Sequence, residues 1–338
     1  MDNAVVVNTG SRFARGLVAV LEQEAPDERF VGCAPGEPVP LEADVLVTLL
    51  DAPTGIEALF APQIRWIHML STGIDGFPLG ATGDRIVTCS RGASGRAIAE
   101  WVLAVMLAFE KRLPESWITE PAAEWNMATL GGLSGRSLGL VGLGAIGSEV
   151  ARRALAFDMN VVALRRTQRP SPVPGVSMVA SLDEVLARSD HLVLAAPSTS
   201  ATAHLLDSDA FAACKPGVHL VNVARGALVD QEALLRALDS GAVARASLDV
   251  VEPEPLPAGH WLYHHPRVRL SPHISWSAAS SGAKTFQLFS IMQTSRHVGM
   301  TTLNDSLLEH VKAKRVEPME AYMKAVNKAE FKKKMDSN

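Results

Sequence analysis

Short apolar runs alternate with longer helical patterns along the first part of the chain. Strand-like runs lie at residues 4–7, 44–50 and 65–70, and a helical pattern lies at 16–24. Pro, Gly and Asp separate these segments, as is usual for turns between strands and helices. The pattern predicts an α/β fold with a parallel sheet.

The same alternation returns after a long, largely apolar helix predicted at residues 96–109. The further strands are predicted at 138–142, 160–164, 191–196 and 218–223, and the further helices at 148–156, 181–189 and 231–239. These strands are largely continuous apolar runs, which is typical where helices cover both faces of a sheet. We therefore expect a second, Rossmann-like parallel sheet.

Composition narrows the class of protein. A chain of 338 residues suits two domains, and its 47% hydrophobic content is enough for two cores. The formal charge of −4 gives no basis for a nucleic-acid or membrane partner. Cys33, Cys89 and Cys214 lack metal-ligand spacing, so no metal site is expected. No export signal is visible and the apolar run at 97–109 is too short to span a bilayer, so we expect a cytoplasmic protein.

A glycine fingerprint connects a predicted strand to a predicted helix. Gly142, Gly144 and Gly147 have the spacing Gly-x-Gly-x-x-Gly, with Ala145 and Ile146 between the second and third. Backbone amides at such a helix start can bind a pyrophosphate, and the helix dipole favours the anion. The strand and helix on either side make this a predicted dinucleotide site. The alternative is a merely structural tight turn.

The next strand ends in arginines. An NAD-specific sheet usually has an Asp or Glu there, which accepts hydrogen bonds from the adenosine ribose. Here Leu164 is followed by Arg165 and Arg166, whose guanidinium groups suit a ribose 2′-phosphate. We predict that NADP(H) is preferred, with NAD(H) possible. The alternative is a solvated basic loop.

Three later strand ends carry groups that suit the reduction of a 2-oxo acid. Arg225 follows one strand, Glu252 and Glu254 follow the next as two candidate acids, and His273 follows the last. An arginine can hold the substrate carboxylate, a histidine can donate a proton to the forming alkoxide, and a carboxylate can keep that histidine protonated. Taken alone, each also has a structural alternative: a salt-bridged surface arginine, a capping histidine and a solvated loop glutamate. Earlier in the chain, the turn at Gly73 and Ile74 has amides that could receive a carboxylate.

Four ordered motifs resemble those of the D-isomer-specific 2-hydroxyacid dehydrogenases, in particular the branch that reduces glyoxylate and hydroxypyruvate. The motifs are the glycine-rich segment 131–147, Val221-Asn-Val-Ala-Arg225-Gly, Leu248-Asp249-Val-Val-Glu-Pro-Glu254-Pro, and Ser271-Pro-His273-Ile. The resemblance covers about residues 1–282. It implies a Rossmann-like nucleotide-binding domain (96–275) inserted in a flavodoxin-like substrate domain (1–95 and 276–300), and a homodimer formed through the former.

The resemblance also implies a role for each candidate residue. Arg225 would bind the substrate carboxylate with the amides of Gly73 and Ile74, and His273 would be the acid/base. Glu254, five positions beyond Asp249, would be its partner in preference to Glu252. The remaining residues implied at the cofactor are Ala196, Pro197, Thr202, Val223 and Asp249, the last at the nicotinamide carboxamide.

The C-terminal part does not follow this family. From about residue 283 the chain resembles the C-terminus of type IV pilus retraction ATPases, although it has no GxxxxGK[ST] motif. We interpret residues 282–290 as a fusion or sequence junction followed by an atypical helical tail at 301–338. The alternative is a divergent closing segment. Two other hypotheses stay open at this point: a nucleotide-binding sensor without turnover, and an interaction module in the tail.

Overall fold

The computed structural model describes residues 4–10, 16–24, 26, 28–49, 55–121, 125, 128–167, 169–278, 311–312, 317–324 and 331–332. The chain divides into two compact units, Met1–Ala93 with Gly282–Asn338, and Ser94–Ser281. The described part of the tail includes one helix, Pro318–Lys324. The predicted junction and most of the predicted tail lie outside the described residues, and they stay predictions.

The first unit contains a parallel sheet of five strands. They are β1 (Ala4–Asn8), β2 (Arg29–Cys33), β3 (Ala43–Thr48), β4 (Trp66–Met69) and β5 (Ile86–Cys89), in the order β2-β1-β3-β4-β5. This is the flavodoxin-like strand order, so that part of the predicted fold class is confirmed. Helix α1 (Leu17–Glu24) connects β1 to β2.

Alternate residues of β1 pack into two separate cores. Val6 belongs to a cluster with Leu46 and Ile67, whereas Val5 and Val7 belong to a second cluster with Leu21. Successive side chains of a strand point to opposite faces of the sheet, so both faces of β1 are covered. The continuous burial of this strand explains why its sequence is apolar throughout.

The second unit contains a parallel sheet of seven strands. They are β6 (Ser137–Val141), β7 (Asn160–Leu164), β8 (Ser177–Met178), β9 (His191–Leu194), β10 (Val218–Asn222), β11 (Val243–Leu248) and β12 (Val268–Leu270). Their order is β12-β11-β10-β9-β6-β7-β8, which is the Rossmann order extended by one strand. The order reverses between β6 and β9, and the crevice at such a point is the usual ligand site of these sheets.

Helices cover both faces of this second sheet. They are α2 (Gly95–Glu110), α3 (Ala145–Ala156), α4 (Leu182–Arg188), α5 (Ser208–Ala213) and α6 (Gln231–Ser240). Leu192 and Leu194 face one core and Val193 faces the other, where Val102 and Met106 of α2 also pack. Helix α2 lies wholly in this unit and packs against α3.

Local signals fix where two of these helices begin and end. Helix α6 begins after Asp230, whose carboxylate accepts hydrogen bonds from the amides of Glu232 and Ala233, and it ends at Gly241 with φ 80°. Helix α4 begins after Ser181, which accepts from the amide of Glu184.

Candidate active site

The candidate residues of the second unit lie at one edge of its sheet. All of its strand pairs are parallel, so the carboxyl ends of β6, β9, β10, β11 and β12 share that edge. Gly142 follows β6, Ala196 and Pro197 follow β9, Val223 and Arg225 follow β10, Asp249 follows β11 and His273 follows β12. The fold therefore brings together groups that are more than a hundred residues apart in sequence.

Two glycines of the fingerprint are required by the protein itself. Gly142 has φ 102°, and a Cβ there would lie 2.6 Å from the carbonyl oxygen of Ala195. A Cβ on Gly147 would lie 2.2 Å from the carbonyl oxygen of Gly142. Both contacts are with backbone atoms, which cannot move aside cheaply. These two glycines allow the tight turn and the close packing of α3 on β6.

Gly144 differs, because no described part of the chain requires a glycine there. It has φ −87°, and a Cβ would meet no heavy atom of the described residues within 4 Å. It is also the N-cap of α3 and provides no side-chain acceptor for the amides at the helix start, including those of Ala145 and Ile146. Open space before uncapped amides at a positive helix end fits the pyrophosphate of a dinucleotide.

Substitution of Gly144 is therefore expected to weaken cofactor binding, whereas substitution of Gly142 is expected to lower stability. Gly144→Ala should cost at most about 2 kcal/mol of stability, the upper end of N-cap changes, but raise the Kd for NADPH by more than about tenfold, since its methyl group takes the ligand's space. Gly142→Ala should destabilise the protein by about 2–5 kcal/mol through strain and overlap. Denaturant unfolding and NADPH fluorescence titration measure both quantities. Wild-type affinity in Gly144→Ala would refute this assignment.

Arg165 and Arg166 follow the end of β7. Arg165 is half-buried and Arg166 is exposed. Within the described ranges, neither guanidinium has a carboxylate in ion-pair contact. Arg166 is thus available to an anionic ligand at the strand end where NAD-specific sheets usually carry an acid.

His273 and Glu254 form a hydrogen-bonded pair. Nδ1 of His273 lies 2.8 Å from Oε2 of Glu254, whose other oxygen accepts a hydrogen bond from the amide of Val251 at 3.0 Å. The bond to Glu254 raises the pKa of His273 against the opposing effect of partial burial. Burial would raise the pKa of Glu254, but the bonds from His273 and Val251 and the nearby charges lower it. The pair can therefore hold a proton on His273 near neutral pH.

Arg225 lies close enough to influence both members of this pair. Its charge lowers the pKa of Glu254 and opposes the rise in the pKa of His273. Asn222 holds the turn that carries it: its side-chain amide donates to the carbonyl oxygen of Arg225 at 2.8 Å and accepts from the amide of Ala224 at 3.0 Å. A Cβ on Gly226 would lie 2.0 Å from the backbone of Val251, so the turn packs tightly against the segment leading to Glu254.

The loop that carries His273 is held by Asp249. Asp249 is buried, and its carboxylate accepts hydrogen bonds from the hydroxyl of Ser271 and from the amides of Ile274 and Ser275, the last two at 2.8 and 2.9 Å. These bonds surround His273, whose φ of 55° is unusual for a residue other than glycine. The sequence motif implied a contact of Asp249 with the cofactor. The structure also gives this carboxylate a part in fixing the loop.

Other predicted residues have these positions. The hydroxyl of Thr202 donates to the carbonyl oxygen of Pro197 at 2.8 Å, which folds the loop after β9. Val223 is buried and Ala196 is half-buried at the strand ends. Gly73 and Ile74 lie in the first unit, after β4. Among the residues that the structure describes, no oxygen accepts a hydrogen bond from the amide of Gly73 or Ile74.

Sequence reasoning assigned no role to Asn222, Ser271 or Gly226. All three belong to motifs recognised in the sequence, so their position beside Arg225 and His273 was the available signal. The contacts of Ser271 and Gly226 depend on the meeting of separate strand ends and were not predictable from spacing, whereas the hydrogen bonds of Asn222 lie within its own turn. In the described part of the chain, no group of three or more His, Cys, Asp or Glu side chains could hold a metal ion. None of the helices in the described residues has the length and apolar character needed to cross a membrane.

The pH dependence of catalysis should report the bond between Glu254 and His273. A reduction that needs protonated His273 is fast below its pKa and is lost as pH rises through it. Glu254→Gln keeps an acceptor but removes the charge, so the alkaline limb of kcat/KM should move to lower pH. Glu252→Gln is the matched control, since Glu252 is the exposed alternative acid and should leave the profile unchanged. An unshifted limb in Glu254→Gln would contradict the pairing.

Comparison with known families settles the class of protein. Residues 103–275, just over half of the chain, match the family model described as D-isomer specific 2-hydroxyacid dehydrogenase, NAD binding domain. The chain belongs to this family. The dehydrogenase is therefore an enzyme that uses a nicotinamide cofactor, and the predicted Rossmann-type fold of its nucleotide-binding domain is confirmed.

Relatives of the dehydrogenase are named for different substrates. It is 34% identical over 246 residues to a glyoxylate reductase of Thermofilum pendens, covering 69% of this chain and 72% of the relative. It is 36% identical over 221 residues to a D-3-phosphoglycerate dehydrogenase of Bacillus subtilis, covering 64% of this chain and 42% of the relative. The dehydrogenase thus spans less than half the length of the latter.

A solved structure shares the fold of the dehydrogenase along most of both chains. It is a D-isomer specific 2-hydroxyacid dehydrogenase of Xanthobacter autotrophicus Py2 in complex with NADPH and MES, 27% identical, with a TM-score of 0.75. The match covers 86% of this chain and 93% of the other.

Proposed function

We propose that this dehydrogenase reduces small 2-oxo acids of the glyoxylate and hydroxypyruvate type to D-2-hydroxy acids, with NADPH as the preferred cofactor. The observation that carries the proposal is the hydrogen bond between His273 and Glu254, with Arg225 beside them. They lie at the same sheet edge as the open space at Gly144. An acid, a carboxylate-binding cation and a dinucleotide cradle are the groups that this reaction needs.

Each residue has a distinct part in the proposed reaction. The Arg225 guanidinium binds the substrate carboxylate through parallel N–H donors, and the amides of Gly73 and Ile74 are assigned to substrate binding as carboxylate donors. Nδ1 of His273 faces Glu254, which leaves Nε2 to donate a proton to the carbonyl oxygen as it gains negative charge. Glu254 stabilises the protonated ring before that transfer. When bound, the cofactor supplies the hydride for the carbonyl carbon.

The preference for NADPH follows from the charge at the end of β7. Arg165 and Arg166 can contact a ribose 2′-phosphate, which NADH lacks, and the NADPH complex of the Xanthobacter relative supports this choice. Replacing both with alanine should lower the ratio of kcat/KM for NADPH to that for NADH by at least about tenfold, because hydrogen bonds to charged groups are lost.

A distant arginine provides the control for this cofactor measurement. Arg188 on α4 pairs with Glu184, so Arg188→Ala should keep the wild-type ratio. A wild-type enzyme that prefers NADH, or a double variant with an unchanged ratio, would refute the role of Arg165 and Arg166.

The proposed assembly is a homodimer formed through the nucleotide-binding domains. Large apolar side chains are exposed in the segment after α2, among them Trp117, Ile118, Trp125 and Leu130. Exposed aromatic groups concentrated in one segment favour a protein interface. Sedimentation should give twice the chain mass of 36.1 kDa. The cytoplasmic location stays a prediction.

Absorbance of NADPH tests the proposed activity. Glyoxylate, hydroxypyruvate, pyruvate and bulkier 2-oxo acids are supplied in turn, and oxidation is expected with the smallest of them. Measurable NADPH binding without oxidation by any of these acids would favour a nucleotide-binding sensor without turnover.

A further inference from the structure

A buried histidine lies at the centre of the first unit. His68 of β4 has no exposed surface, and both of its ring nitrogens have hydroxyl partners. Nδ1 lies 2.8 Å from Oγ1 of Thr88, and Nε2 lies 3.2 Å from Oγ of Ser90. Burial lowers the pKa of His68 to about 4, so the ring is neutral at neutral pH. Either tautomer can make both hydrogen bonds, since each hydroxyl can donate or accept.

Ser90 connects this ring to the turn that follows β4. It is 3% exposed and lies directly after β5. Its amide donates to the carbonyl oxygens of Met69 and Ser71 at 3.0 and 3.1 Å, and its carbonyl oxygen accepts from the hydroxyl of Thr72 at 3.4 Å. The His68 ring therefore contacts the side chain of Ser90, and the backbone of Ser90 in turn holds the first residues of the turn.

The turn itself has an internal hydrogen bond, and it carries two amides without an acceptor among the described residues. The hydroxyl of Ser71 donates to the carbonyl oxygen of Gly73 at 2.8 Å. The amides of Gly73 and Ile74 have no acceptor in the part of the chain that the structure describes. A continuous series of contacts thus leads from His68 through Ser90 to the residues that carry these amides.

An apolar side chain would fill the place of His68 without needing two polar partners. Burying a polar ring costs free energy unless its hydrogen bonds are made, and those bonds have strict geometry. In return they restrict Ser90 to one position. Among the described residues, Ser90 connects that restriction to the turn.

We propose that His68 is a positioning residue for substrate binding, which fixes the turn at residues 71–74 through Ser90 so that the amides of Gly73 and Ile74 converge on the substrate carboxylate. The inference rests on the proposed function, in which these amides bind that carboxylate. They do not touch the reacting carbonyl group. Loss of the connection therefore weakens binding of substrate and transition state alike, which raises KM with little change in kcat.

Ser90→Ala breaks the connection with the smallest change. We expect KM for glyoxylate and the Kd for oxamate, measured on the enzyme saturated with NADPH, to rise about tenfold, as when a hydrogen bond to a charged group is weakened. The kcat and the Kd for NADPH should stay within about twofold of wild type. Ser90→Thr keeps the hydroxyl and should restore oxamate binding.

Two further variants separate positioning from general stability. Trp66→Phe removes an indole N–H that donates to Thr88 at 2.8 Å, on the side of the network away from Ser90, and should bind oxamate as wild type does. His68→Asn removes the ring contact with Ser90 and should repeat the effect of Ser90→Ala, which covers the case in which Ser90→Ala fails to fold. Thermal unfolding checks the fold of each variant.

Ile74→Pro tests separately whether the turn binds the substrate carboxylate. This separates an error in the positioning role of His68 from an error in the binding role of the turn. Proline has no N–H, so oxamate binding should weaken if the Ile74 amide binds the carboxylate. If Ile74→Pro weakens binding while folded Ser90→Ala and His68→Asn bind oxamate normally, the positioning role of His68 is wrong. Unchanged oxamate binding in Ile74→Pro would instead remove the proposed role of the turn, and the inference with it.

Discussion

Replacing His273 with alanine is expected to lower kcat/KM for 2-oxo acid reduction by about 10²- to 10⁴-fold, the usual contribution of a general acid. The carbonyl oxygen gains negative charge as the carbon is reduced, and without His273 only water can donate the proton. The remaining activity should lose the alkaline limb of the wild-type pH profile, because the group whose pKa is raised by Glu254 is gone.

An exposed histidine provides the control for this variant. His264 lies outside the hydrogen-bonded pair and is exposed, so His264→Ala should keep wild-type kcat/KM. The Kd for NADPH should be little changed in both variants. A loss of less than about tenfold in His273→Ala, with normal cofactor binding, would exclude His273 as the proton donor.

Arg225→Gln is expected to cause the second large loss. Removing one partner of a hydrogen-bonded charge pair costs about 2–5 kcal/mol, which corresponds to about 30- to 5000-fold in kcat/KM. The substrate carboxylate would lose both its counter-charge and its parallel donors. Steady-state kinetics with glyoxylate at saturating NADPH measure the effect.

Arg225→Lys separates charge from geometry. Lysine keeps the positive charge but lacks the planar pair of donors, so it should recover part of the activity. Activity in Arg225→Gln close to that of the wild type would contradict the proposed carboxylate contact.

Much of the fold was predictable because both sheets are parallel. Strands such as β1, β9 and β10 are covered on two faces, so their sequences are nearly continuous apolar runs. The edge strands β2 and β5 were not predicted. In β2 only Phe30 and Cys33 are fully buried, so the residue pattern was too weak to mark a strand.

Glu110 shows where local sequence was misleading. In the sequence it begins a charged group with Lys111 and Arg112 at the end of a helix, as if exposed to solvent. In the structure its side chain is buried and accepts a hydrogen bond from Nε2 of His191 at 3.1 Å. Burial would raise the pKa of Glu110, but the His191 bond and the Arg136 charge lower it. His191 lies on β9 and Arg136 lies directly before β6, so no local pattern identifies these partners.

The candidate site, like the fold, was predictable only in part. Motif positions at strand ends predicted which residues share the sheet edge, because parallel strands bring their carboxyl ends together. The hydrogen bonds of Asp249 to the loop of His273 join two strand ends and depend on the relative height of β11 and β12, whereas those of Asn222 lie within the turn of Arg225. Spacing within a motif contains no information about that height.

We propose that this chain reduces the carbonyl carbon of a 2-oxo acid on one face. The most direct test supplies hydroxypyruvate with NADPH deuterated at the transferable position of C4 and analyses the glycerate by chiral chromatography and mass spectrometry. We predict D-glycerate with one deuterium at C2, at a rate that falls at least about 10²-fold in His273→Ala. L-Glycerate, or no deuterated product despite cofactor binding, would contradict the account.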